Sequence, residues 1–199
     1  MLSVGNAAIV LCGGRSRRMG RDKAALPFGE ETMLERVVRI VGPVVDEVIL
    51  VAREGQQVPG EFHGIIRDPA EGLGPLAGLA AGLAAMRSER AFLTSCDVPF
   101  LRPEYVSLLL RLAEGHAAAV PLVDGYHMST SAVYSREVLP VAERLVEERR
   151  LRPFFLIDAV DTRVVSADEL QVVDPDLRSF RNCNEPDDYE AALRDAGLA

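Results

Sequence analysis

The sequence predicts an α/β fold built on a mainly parallel sheet, and three observations carry that expectation. Short apolar runs such as Ala7 to Leu11 recur without polar alternation, as in strands buried on both faces. Between them lie segments whose apolar residues recur at i, i+3, i+4 and i+7, one face of a helix. Glycine, proline and aspartate stand at the joints. Strand and helix alternating in this way imply parallel strands joined by helical crossovers.

Ala7 to Leu11 is the first strand. Leu34, Val37, Val38 and Val41 then mark a helix that Gly42-Pro43 stops. Glu47 to Ala52 and Gly64 to Arg67 read as the next strands, the latter running into Asp68-Pro69. Pro75 suits a first helical position, with Leu76, Leu79, Leu83 and Met86 as the buried face. Gly78 and Gly82 share one side of that helix. Each costs roughly 1 kcal/mol of helix propensity against alanine, so their presence predicts close approach to the sheet. Ala91 to Cys96 is a strand ending at Asp97, and Tyr105, Leu108, Leu109 and Leu112 form a helix face. Ala117 to Leu122 and Ser131 to Tyr134 read as strands, and about Ser135 to Arg149 as a helix. Leu170 to Val173 reads as a late strand, and Pro186 to Ala196 as a final helix with Asp187 and Asp188 in its first turn.

The length of 199 residues fits one domain over 1–199, and a hydrophobic fraction of 48% supplies a core for it. A net charge of −8 argues against general nucleic-acid binding, which needs spread-out basic surface. No apolar stretch approaches the roughly 20 residues that span a bilayer, so no membrane partner is expected. The N-terminus has no basic leader region and is read as a strand. Cys12, Cys96 and Cys183 are odd in number and widely spaced, which suits reduced thiols and a cytoplasmic location rather than a disulfide framework or zinc site. Cys12 and Cys96 read as buried small hydrophobes.

Against this acidic background, Leu11 to Lys23 reads LCGGRSRRMGRDK, with Arg15, Arg17, Arg18, Arg21 and Lys23 all basic. A strand, a glycine pair and concentrated positive charge let a backbone approach an anion closely, with Gly13 and Gly14 turning N–H groups toward phosphate oxygens. The arginines supply forked donors and Lys23 a point charge. Neither GxGxxG nor GxxxxGK[ST] is present, which disfavours a dehydrogenase or a P-loop NTPase.

In open α/β sheets, ligands bind beyond the carboxyl ends of the strands. The basic loop, Asp68 and Asp97 all fall at such ends. Asp97, held by the following Pro99, suits Mg²⁺, which takes one or two carboxylates plus phosphate oxygens; capping of the helix near Pro103 is the other reading. Asp68 precedes a proline and reads equally as a turn starter. His127 precedes a strand. Asn182, Asn184 and Glu185 could hydrogen-bond a ligand or cap the last helix.

Four segments together resemble the molybdenum cofactor guanylyltransferases: Leu11 to Lys23, Gly74-Pro-Leu-Ala-Gly-Leu79, Asp97-Val-Pro-Phe-Leu101 and Asn182-Cys-Asn-Glu-Pro-Asp-Asp188. The resemblance runs from Ala7 to about Tyr189. It implies a three-layer α/β/α, Rossmann-like nucleotidyltransferase fold. It also implies an enzyme that moves GMP from GTP to molybdenum-molybdopterin with Mg²⁺ and releases pyrophosphate. On that resemblance, Leu11, Cys12, Gly13, Gly14, Arg15, Lys23, Asp68 and Asp97 bind nucleotide. Lys23, Asp97 and Arg18 are catalytic, and Asp97 holds the metal. His127, Asn182 and Asn184 lie toward the pterin. Other cofactor-biosynthesis proteins and target oxidoreductases would be partners. The chain departs from the family in having Cys12 for an alanine, Val51 for an asparagine, and His127-Met128 for His-Pro. A CTP-using molybdopterin cytidylyltransferase and a noncatalytic cofactor carrier remain as alternatives.

Overall fold

The computed structural model describes residues 5–13, 21–60, 62, 64–68 and 73–199. The elements run, in chain order, β1 (Asn6–Leu11), β2 (Pro27–Phe28), β3 (Glu31–Thr32), α1 (Met33–Val41), β4 (Glu47–Arg53) and β5 (Ile65–Asp68). They continue with α2 (Pro75–Ala85), β6 (Arg90–Ser95), α3 (Pro103–Leu112), β7 (Ala118–Val123), β8 (Tyr126–His127) and β9 (Ala132–Ser135). The last are α4 (Leu139–Glu147), α5 (Phe154–Ala159), β10 (Thr162–Ser166), α6 (Ala167–Gln171) and α7 (Pro186–Asp195).

The main sheet has the order β10-β7-β9-β6-β1-β4-β5, with β8 paired to β7. β1 is parallel to both β4 and β6, β4 to β5, and β7 to β10. β9 runs antiparallel to β6 and β7, so the sheet is mostly rather than wholly parallel. The chain moves outward from β1 through β4 to β5, then crosses back to β6 on the other side of β1. That reversal is a topological switch point, where neighbouring strand ends part and leave a crevice.

Both faces of the sheet are covered, as the unbroken apolar runs require. Ala8, Val10, Leu50, Ala52 and Phe92 pack with Leu34 and Val37 of α1, Leu109 of α3 and Leu170 of α6. The alternating residues Ala7, Ile9, Ile49, Val51 and Leu93 pack with Leu79 and Leu83 of α2, Ala142 of α4 and Leu156 of α5. The two-residue period of the strands thus sorts one set of apolar residues into two cores.

Local chemistry explains the boundaries. Thr32 and Glu35 form a reciprocal capping box at the start of α1. α2 begins at Gly74, whose φ of 77° only glycine adopts without strain, followed by Pro75. Asp124 and Gly125, at φ 51° and 80°, make the tight turn that joins β7 to β8, the conformation an Asp-Gly hairpin favours.

Two expectations fail. Leu170 to Val173 is not a strand: Ser166 and Glu169 form a capping box that starts α6 there, and Val172 is left exposed. The late strand is instead β10, which ends at Ser166 and has only Val165 fully buried. The segment after Ser135 opens as a 3-10 turn before α4 begins at Leu139.

Candidate functional site

Because β1, β4, β5, β6, β7 and β10 point the same way, their carboxyl ends share one edge. Leu11, Arg53, Asp68, Ser95, Val123 and Ser166 lie there. The crevice of the switch point falls at the ends of β1 and β6.

Lys23 stands over that crevice. It opens a 3-10 turn, Lys23–Ala25, whose N-cap is Asp22, and Asp22 accepts the backbone N–H of Ala24 at 3.1 Å. Lys23 Nζ donates to Asp97 Oδ2 at 2.7 Å and to Asn184 Oδ1 at 2.9 Å. The two charged side chains are 16% and 11% exposed, so the pair is shielded from solvent yet reachable. Three segments far apart in sequence therefore converge on one ammonium group. Lys23 is also the single lysine among the chain's 22 lysines and arginines.

Asp97 is held from several sides. Its other carboxylate oxygen accepts the hydroxyl of Ser95. Its carbonyl accepts the N–H of Cys183 at 2.9 Å, which fastens the Asn182–Asn184 segment beside it. Two residues on, the carbonyl of Pro99 accepts Arg36 Nε at 2.6 Å, and Arg36 pairs with Glu31 at 2.9 Å. Asn184 owes its place to α7. Asp188 Oδ2 accepts the N–H groups of Asn184 and Glu185 at 3.0 and 2.9 Å, and α7 packs through Ala192 and Tyr189 against Leu26, Phe28 and Met33. Capping of α7 falls to Glu185, which leaves the Asn184 side chain for Lys23.

At the end of β1, the N–H groups of Cys12 and Gly13 both donate to the carbonyl of Val51, at 2.8 and 3.2 Å. The carbonyl of Leu11 accepts Cys96 N–H at 3.1 Å. A side chain at Gly13 would fit tightly: a Cβ would stand 3.2 Å from both Arg53 N and Arg53 Cγ. The Cys12 thiol is pushed up to about 12 by burial and then by Asp22, and burial raises Cys96 well above its usual range, so neither is a nucleophile. All three cysteines are free and buried.

The other expected site residues spread along the same edge. Asp68 ends β5, three strands from β6. On the opposite side, two strands from β6, lies β7; His127 sits on its partner β8 with its ring 6.4 Å from that of Phe154. Asn182 is exposed. Gly14, Arg15 and Arg18 lie outside the described residues. Sequence reasoning missed Ser95, Asp22 and Gln56; each acts through a contact with a residue elsewhere in the chain or with the backbone, and no motif marks it.

Among the described residues, no group of three or more His, Cys, Asp or Glu side chains is poised for a metal. These residues therefore build no dedicated protein cage. Asp97, a lone carboxylate already satisfied by a cation and a hydroxyl, fits a hard divalent ion that takes its remaining ligands from phosphates and water. No helix of the described residues is long and apolar enough to cross a membrane.

The chain is similar to known proteins over most of its length. The family profile described as MobA-like NTP transferase domain matches residues 8–163. A Methanosarcina mazei protein named "Probable molybdenum cofactor guanylyltransferase" is 39% identical over 203 residues, covering 92% of this chain and 88% of its own. The molybdenum cofactor guanylyltransferase of Desulfosudis oleivorans is 34% identical over 186 residues, 92% of each chain. Among solved structures, molybdopterin-guanine dinucleotide biosynthesis protein A from Archaeoglobus fulgidus aligns over 98% of this chain and 100% of its own. Its TM-score is 0.84 at 24% identity, a likeness of fold.

Proposed function

Because the chain belongs to the MobA-like NTP transferase family, we propose that it transfers GMP from GTP to the terminal phosphate of molybdenum-molybdopterin and releases pyrophosphate. The observation that carries the reading is the meeting of Lys23, Asp97 and Asn184 at the switch point of the sheet. One compact cation, one carboxylate and one amide, drawn from three motifs, make a phosphate-handling centre rather than a simple anion patch. The proposal takes residues 1–199 as one catalytic domain working in the cytoplasm, where buried unpaired thiols persist.

The acceptor is a phosphate monoester with a second pKa of about 6, so it is ionised near neutral pH and needs no general base. Catalysis then rests on positioning and on offsetting charge. Lys23 offsets the charge that develops on the departing pyrophosphate, and Arg15 and Arg18 are assigned the same task from the sequence. Leu11 to Gly13 and Asp68 take the nucleoside. The Cys12 and Gly13 N–H groups are committed to Val51, while the Leu11 and Cys12 carbonyls, each accepting one bond from Cys96 or Gln56, keep a second lone pair that suits a donor on a guanine or ribose. Asp97 would hold Mg²⁺, which polarises the phosphorus under attack and neutralises the phosphates when bound. His127, Asn182 and Asn184 are assigned to the acceptor side.

Pyrophosphate release measured with GTP and with CTP, each with and without molybdenum-loaded molybdopterin, tests the reading. Release that requires GTP and the cofactor together supports it. Preference for CTP would make the enzyme a cytidylyltransferase, and binding without release would make the protein a carrier.

A further inference from the structure

Gln56 was not singled out by any motif, yet it is 5% exposed and every polar group of its side chain is used. It closes a tight turn after β4, in which Gly55 takes a φ of 69° and Gln56 N–H bonds the carbonyl of Arg53 at 3.2 Å. Gln56 Oε1 accepts the N–H of Arg53 at 3.0 Å. A backbone N–H only donates, so that atom is the oxygen and the nitrogen faces the other way. Nε2 donates to the carbonyl of Cys12 at 3.2 Å and to Asp22 Oδ2 at 2.8 Å. Arg67 Nη1 braces the turn from behind, bonding the carbonyls of Gln56 and Arg53 at 2.7 and 3.1 Å.

Cys12 and Asp22 are the entry and exit of the glycine and arginine segment. One amide nitrogen therefore ties both ends of that segment to the end of β4. Asp22 is in turn the N-cap of the turn that opens with Lys23, and Lys23 reaches Asp97. We propose that Gln56 is a positioning residue for nucleotidyl transfer, holding the Cys12 carbonyl and Asp22 and through Asp22 fixing Lys23 opposite Asp97. The proposal rests on the nucleotidyltransferase reading of the Lys23 and Asp97 pair.

Two variants separate shape from donation. Gln56→Glu keeps the shape but turns an acceptor toward the Cys12 carbonyl and the Asp22 carboxylate. Gln56→Met keeps the length and removes both donors without adding charge. In folded variants, kcat with GTP and cofactor is expected to fall roughly 10- to 100-fold, the range that misplacing a catalytic group by about an ångström produces. KM for GTP should move less than kcat, because the ammonium misplaced through Asp22 acts chiefly on charge that develops in the transition state, while the released Cys12 carbonyl bears on nucleoside binding. In a Lys23→Ala background, the same substitutions should cost less than about 3-fold more, since the residue they position is gone. Protein grown with labelled lysine gives a single lysine side-chain resonance, that of Lys23. This resonance is expected to shift in both variants without any substrate present.

An unmoved resonance with unchanged kcat would overturn the assignment, as would equal losses with and without Lys23. Collapse of the thermal midpoint in both variants would also overturn it, marking Gln56 as a residue of the fold. If the unaltered protein releases no pyrophosphate, the functional reading fails, and the lysine resonance still decides whether Gln56 holds Lys23.

Discussion

Gly82→Ala should destabilise this protein, although alanine is worth about 1 kcal/mol more than glycine in an ordinary helix interior. A Cβ at Gly82 would stand 2.7 Å from Ile9 Cγ2, 2.8 Å from Cδ1 and 2.9 Å from Cγ1. The clash involves the body of the isoleucine rather than a movable tip. Ile9 is fully buried in β1, which is paired on both sides, so neither side chain nor strand has room to withdraw. Forcing a methyl into such a core costs about 1–3 kcal/mol, and the helix gain of about 1 kcal/mol leaves a net loss of up to about 2 kcal/mol. For a chain of this size, that lowers the thermal midpoint by up to roughly 8 °C. Ile9→Ala removes all three clashing atoms, so in that background Gly82→Ala is expected to raise the midpoint instead. The assay is thermal unfolding of the four proteins of the cycle. A rise on Gly82→Ala in the unaltered protein would refute the reasoning. Gly78→Ala serves as a comparison: its Cβ would meet the tip of Leu11 at 2.8 Å, which can rotate. It should cost less stability and appear instead as a higher KM for nucleotide, because Leu11 ends β1 at the site.

Asp97→Ala is expected to abolish pyrophosphate release; near wild-type turnover with Mg²⁺ would remove Asp97 from the metal. Lys23→Ala should lower kcat by orders of magnitude, and Lys23→Arg should fail to restore it, since two acceptors at 2.7 and 2.9 Å from one nitrogen match an ammonium and not a planar fork. Recovery of activity by arginine would show that only charge matters there. Hydrogen bonds from Arg39, aided by those from Arg36, hold the Glu31 carboxyl below its ordinary 4.5. The unfolded chain takes up that proton first as pH falls. Stability from this cluster is therefore present above about pH 4.5 and lost as pH drops through the lowered folded value. The difference in thermal midpoint between the unaltered protein and Glu31→Gln should be largest near neutral pH and shrink as the pH falls below about 4.5; a constant difference across that range would contradict the assignment.

What the sequence made legible was what local rules control. The continuous run Ala7 to Leu11, the spacing of Leu34 to Val41 and the Gly78 and Gly82 pair each foretell burial or close approach without knowledge of partners. The site was legible as far as motifs mark its residues: Lys23, Asp97 and Asn184 were each marked, and the fold joins them. The failures have the same origin. Leu170 to Val173 is apolar enough for a strand, but the upstream Ser166 and Glu169 pair decides in favour of a helix, and the edge strand β10 lacks the unbroken apolar run of a central one. Gln56 carried no signal because its role depends on where residues 12 and 22 end up. Asn184 could not be separated from a helix cap until Glu185 was seen to occupy that position.

The chain uses arginine for every cationic side chain except one. Some of its arginines do work that suits a fork or a flat face: Arg39 makes two bonds to Glu31, and Arg178 lies 4.1 Å over the ring of Phe100. Lys23 alone has to be a compact charge with donors on one atom, able to serve a carboxylate and an amide at once in a narrow crevice. Its immediate neighbours do not compete for it. Asp22 is turned away to the Ala24 N–H and to Gln56, and the cysteines beside it are held neutral by burial. Asp97 is left as the carboxylate that Lys23 faces, and both side chains are only slightly exposed. A pair of opposite charges so placed contributes little net stability for the desolvation it requires. Its place beside the ends of β1 and β6 fits the proposed task of meeting phosphates.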